Sequence, residues 1–134
     1  MVPSYSPDPM PGGLKGALVV VWIQAAGNLV FAMVMFHENR NDIDHGHTDN
    51  SSLLVTGAWV TLGTAVLLAV CALATAARQN WARRTLIGLQ VLNILGGVFL
   101  ALVGGGVPVL LGMVVSAAVI GGTGSAKAAS WIQR

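Results

Sequence analysis

Residues 14–36, 53–76, 85–103 and 107–126 are almost wholly apolar, and three breaks of different character divide them. About 20 apolar residues in an α-helix cross the roughly 30 Å hydrocarbon core of a bilayer. The pattern therefore predicts an all-α membrane protein, a bundle of four transmembrane helices over those ranges. The break over 77–84, Ala-Arg-Gln-Asn-Trp-Ala-Arg-Arg, orients the rest. It carries Arg78, Arg83 and Arg84 and no acid, and short loops rich in Lys and Arg are held on the cytoplasmic side. Trp81 lies among these charges, and an amphipathic indole favours the headgroup level. Lys127, Trp131 and Arg134 mark the same interface after the fourth run. Alternation then places both termini in the cytoplasm.

The other two breaks fit this orientation. His37 to Ser52 reads as one long polar outside loop, with Glu38, Asp42, Asp44 and Asp49 against Arg40 alone. Asp49, Asn50, Ser51 and Ser52 are good N-cap types for the second helix. Gly104, Gly105 and Gly106 with Pro108 predict a tight outside turn. Ahead of the first run, Pro3, Pro7, Pro9, Pro11 and Gly12-Gly13 argue for a disordered cytoplasmic tail over 1–13, because proline at alternate positions blocks helix and sheet alike. The domain then covers 14–134. The first run is read as a retained span: it is long for a signal peptide, and Gln24 breaks the small-residue rule at Ala25-Ala26.

Composition agrees with the pattern. The 134-residue chain is 54% hydrophobic and 9% charged, with mean hydropathy +0.73, whereas soluble domains are about a quarter charged. The pI near 9.2 does not indicate nucleic acid, since the basic residues flank apolar runs and form no stripe that tracks a phosphate backbone. The expected contacts are the lipid bilayer of the cell membrane and another membrane protein or a second copy of the chain. Cys71, the single cysteine, reads as a packing residue.

Within the apolar runs, polar and small residues fall on defined faces. Gln24 and Asn28 are four apart in the first helix, and Gln90 and Asn93 three apart in the third, so each pair shares a face. Carboxamides left facing lipid would be unpaired, so these faces should point into protein. Two readings are open: interhelical glue, or the lining of a path for a neutral solute. The two helices can also be laid beside each other as a parallel repeat of hairpins. Gly57, Thr61, Thr64, Leu68, Cys71 and Thr75 form a seam on the second helix, and Gly112 and Ser116 a small-xxx-small pair on the fourth. Such seams let backbones approach, and leucine at Gly57 or Gly112 is expected to disrupt assembly.

The candidate chemistry is sparse. No Asp, Glu, Lys, Arg or His lies deep in a span, and such residues mark most ion and proton routes. Small four-helix multidrug antiporters have about this length, but they depend on a membrane-embedded glutamate where this chain has Gln24. His37, His45 and His47 are candidate metal or pH-sensing groups, set against a plain solvated loop without tetrahedral ligand spacing. No nucleophile elbow or phosphate-binding glycine loop is present. The expectation is a non-enzymatic structural or accessory protein without a cofactor. A small oligomeric channel for a neutral solute is the alternative, and an extracellular metal or pH sensor a third.

The segment Arg78-Gln-Asn-Trp-Ala-Arg-Arg, with Ser125-Ala126-Lys127-Ala128 after the last helix, resembles a pattern found in small four-helix integral membrane proteins of actinobacteria, a group with no assigned activity. In this chain Ala129-Ser130 delay the terminal aromatic to Trp131. The resemblance implies a four-helix architecture and a cell-membrane location, and it brings no functional residues with it.

Overall fold

The structure, a computed structural model, describes residues 8–49 and 51–133. Among these residues it is wholly helical: α1 Gly12–Asp44, α2 Ser51–Ala76, α3 Asn80–Leu102, α4 Val107–Thr123 and α5 Ala126–Gln133. The first three are long and apolar enough to cross a membrane, and α4 with α5 qualifies as a fourth if the bent pair is one span. Most of the expected 1–13 tail, the cap position Asn50 and the terminal Arg134 lie outside the described residues.

Helices α1 to α4 close into a ring in chain order. α1 packs on α2 and α4, and α3 packs on the same two neighbours. Glycines mark the closest approaches. A Cβ on Gly57 would lie 2.7 Å from Met35 Cε of α1, and one on Gly97 would lie 2.6 Å from Met113 Cγ of α4. A Cβ on Gly122 would lie 2.5 Å from the Gly13 carbonyl oxygen and 2.6 Å from Ala17 Cβ of α1. Phe36 and Trp59 add an edge-to-face contact between α1 and α2, with ring centroids 5.4 Å apart.

Three helix ends stop in the same way. At Gly46, Arg78 and Gly104 the backbone turns left-handed, with φ of 79°, 61° and 100°. After each, the next amide bonds back five residues: His47 to the Asp42 carbonyl, Gln79 to Ala74, Gly105 to Leu100. This is the Schellman turn, which satisfies carbonyls that the helix end would orphan. It accounts for the main difference from the sequence expectation. The polar stretch from His37 to Asp44 continues α1 instead of opening a loop, because it contains neither Pro nor Gly. The helix runs on to the first residue that turns left-handed cheaply, Gly46. At the far end α4 stops at Thr123, α5 leaves at 50°, and the expected helix over 107–126 divides there.

The core is lopsided. Leu14, Leu18, Val21, Leu68, Cys71, Leu86, Val119, Ala128, Trp131 and Ile132 are buried together, all in the half of the ring near the α2–α3 connection. There α5 folds back and tucks Ala128, Trp131 and Ile132 against the helix ends. Outward, large apolar side chains are left bare, among them Trp59, Leu102, Val107 and Val114. Soluble monomers seldom expose contiguous apolar patches beyond a few hundred Å².

Candidate functional site

The four carboxamides singled out in the sequence occupy one region. α1 and α3 stand on opposite sides of the ring and present Gln24 and Gln90 to each other across its centre. Gln90 Nε2 donates to Gln24 Oε1 at 2.9 Å, and Gln24 Nε2 approaches Gln90 Oε1 at 3.4 Å. Gln90 is fully buried. The first contact is a well-formed hydrogen bond and the second is at the long limit.

One turn further along, Asn28 and Asn93 open onto a cleft of about 430 Å³ between α1, α3 and α4. Gln24 forms part of its wall, with Gly97, Gly112 and Met113. Among the described residues, neither Asn28 nor Asn93 makes a side-chain hydrogen bond. No residue lining the cleft is ionisable. The structure thus divides the carboxamides: one from each helix is tied to the other, and one from each remains open.

The small-residue seams lie differently from the sequence reading. Gly57 is turned to Met35 within the same chain. Gly112 lines the cleft, with no atom within 4 Å of its notional Cβ. Ser116 is buried. On α2 the lower part of the seam, Leu68, Cys71 and Thr75, is buried as the spacing implies, but above it the buried positions are Ala58 and Ala65. Thr61 and Thr64 bond carbonyls of their own helix, those of Gly57 and Val60, at 2.7 and 2.8 Å. Their hydroxyls are satisfied locally and tie nothing across the ring.

The basic end is a built structure rather than a scatter of charges. Arg83 donates to the Thr123 carbonyl at 3.1 Å and to Asn80 Oδ1 at 3.3 Å, so it caps the C-terminus of α4, where a cation is favoured. Arg78 lies 4.3 Å from the Trp131 ring centroid and donates to the Asp8 carbonyl at 3.3 Å. Trp131 Nε1 donates to the same carbonyl at 2.9 Å. Trp131 of α5 is therefore buried, because the bend after Thr123 turns it inward. Trp81 is exposed, as are Arg84 and Lys127. Sequence reasoning missed Asp8 altogether and the close approach at Gly122. The contacts of Asp8 are made by its backbone, which leaves no residue-type signal, and Gly122 sits in a glycine-rich stretch that reads as a weak helix end.

The histidines are not gathered. His37 sits exposed on α1, His45 follows its last residue with Nδ1 2.8 Å from the Asn41 carbonyl, and His47 lies beyond the turn. Among the described residues no group of three or more His, Cys, Asp or Glu is placed to hold a metal ion. No family model, curated protein or solved structure matches the chain.

Proposed function

We propose that the chain is a multi-pass protein of the cell membrane, a four-helix bundle with both termini cytoplasmic, that acts without chemistry of its own as a structural or accessory subunit. One observation carries the reading: the most deeply buried carboxamide, Gln90, is spent on Gln24. That bond ties opposite helices together and stands across the axis that a continuous solute path would need. With the Thr61 and Thr64 hydroxyls bonded within α2, the remaining outer surface is apolar and suited to lipid or to another helix.

The assembly face in this reading is the apolar groove between α1 and α2, a depression of about 320 Å³ lined by Trp22, Ala26, Leu29, Leu62, Val66 and Ala69 among others. Alanines there let a further helix approach closely, and close packing drives helix association in lipid. Gly57 packs on Met35 of α1 and Gly112 lines the cleft, so the alanines of the groove are the positions at which to test assembly. Native mass spectrometry of the protein released in its own lipids tests the proposal. A homo-oligomer or a defined hetero-complex that loosens in the Ala26→Leu and Ala69→Leu variants is expected. A strictly monomeric wild type would overturn it.

A further inference from the structure

We infer that the cleft between α1, α3 and α4 is a binding pocket for a small uncharged molecule that both donates and accepts hydrogen bonds, such as an amide or a polyol. The inference rests on the membrane placement proposed above, but not on the assembly face, which lies on the other side of α1. Asn28 and Asn93 carry the argument. At that depth a carboxamide has no water to fall back on unless the cleft supplies it, and the chain gives these two none of the partners that Gln24 and Gln90 give each other. Each offers two N–H donors and a carbonyl acceptor, so from opposite walls they present both kinds of group to one volume.

Three further features define the occupant. The cleft of about 430 Å³ is within the usual range for small-molecule sites, about 300–1,000 Å³. It contains no ionisable side chain, and an ion held at depth without a counter-charge is costly, so the molecule is neutral. The cleft is also closed at its lower end. Below Asn28 and Asn93 the Gln24–Gln90 bond crosses the ring, and beneath that Val21 and Leu86 are fully buried. The geometry is therefore that of an open cleft with a floor and not of a channel through the ring. At Gly112 the α4 wall has no Cβ, and a notional one meets nothing within 4 Å, so the space belongs to the occupant and not to tight helix packing.

Cysteine accessibility in lipid nanodiscs tests the pocket. The full chain carries Cys71→Ala and, in turn, Gly96→Cys, Gly112→Cys or Leu95→Cys. Gly96 and Gly112 line the cleft, a Cβ at either meets nothing within 4 Å, and both asparagines stay in place. Leu95 is exposed on α3 and does not line the cleft, so it marks the lipid-facing surface. Methyl methanethiosulfonate is the neutral reagent and its trimethylammonium-ethyl analogue the charged one. Only a hydrated thiol ionises and reacts, so both cleft variants should react at least about tenfold faster than Leu95→Cys, and faster with the neutral reagent than with the charged one. Nicotinamide should protect both sites, whereas its anionic isostere nicotinate should not. Cleft cysteines as inert as the Leu95→Cys control would mean that lipid or a helix of a second copy fills the cleft, and would overturn the inference. Equal protection by nicotinate, or none by nicotinamide, would overturn the assigned ligand class. A Leu95→Cys control as reactive as the others would instead overturn the membrane placement. Two sites on separate helices keep the test decisive if one variant misfolds.

Discussion

Replacing Gln90 with leucine isolates the bond that joins α1 to α3. The single variant leaves Gln24 at the cleft floor without its partner, and a polar group left unpaired in the interior costs about 1–3 kcal/mol. The Gln24→Leu variant strands Gln90, which is the worse loss because Gln90 is fully buried while Gln24 reaches the cleft. The double variant removes both polar groups and leaves two leucines facing each other, which should recover much of the damage. Hydrogen bonds between helices in lipid average about 0.6 kcal/mol and reach about 1.7. With one good contact at 2.9 Å and one marginal contact at 3.4 Å, the coupling should be about 1 kcal/mol, roughly a fivefold change in the folded-to-unfolded ratio. Reversible unfolding in mixed micelles, followed through the four tryptophans, provides the four free energies of the cycle. Independent sites add to within about 0.3–0.5 kcal/mol. A double variant that costs the sum of the singles within that margin would refute the bond as a structural tie.

Two more substitutions probe the frame around this bond. Gly122→Ala forces a methyl against backbone at Gly13 and against Ala17, so it should destabilise by about 1–3 kcal/mol. Gly88→Ala, where a Cβ meets nothing within 4 Å, should be neutral or mildly stabilising, and equal unfolding midpoints for the two would refute the close approach of α1 and α4. Arg78→Gly relieves a left-handed backbone that costs about 1 kcal/mol for a residue with a Cβ, but it loses the stacking on Trp131. Arg78→Ala keeps the strain and loses the same stacking, so it should be the less stable of the two by about 1 kcal/mol, and equal stability in the unfolding assay would reject the argument.

The long apolar helices were legible because period and length are carried by residue type alone. The carboxamide faces were legible for the same reason: Gln24 and Asn28 are four apart, and Gln90 and Asn93 three apart. How those four would divide was not, because pairing across the ring depends on helix rotation, which spacing leaves free. The end of α1 was misplaced by eight residues, since polarity from His37 onward reads as loop while the backbone obeys the turn at Gly46. Gly57 and Gly112 illustrate the same limit. Small residues announce a close approach or an open space, but only the fold says to which neighbour. Trp131 was read from its charged surroundings as an interfacial anchor, and its burial against Arg78 and Asp8 depends on the bend between α4 and α5, which residue type does not announce.

The contact of the Asp8 carbonyl with Arg78 and Trp131 spans 123 positions of the chain between its outer members. Synthesis runs from the amino end, so α1, α2 and α3 are all made before the indole that completes this junction exists. A chain halted between Thr123 and Trp131 has its four long helices but not this junction, and Leu14, Leu68 and Leu86 share their buried cluster with Trp131 and Ile132. The eight-residue α5 is thus the last part of the buried cluster to be made. Until α5 is made, the half of the ring near the α2–α3 connection leaves part of its apolar core uncovered.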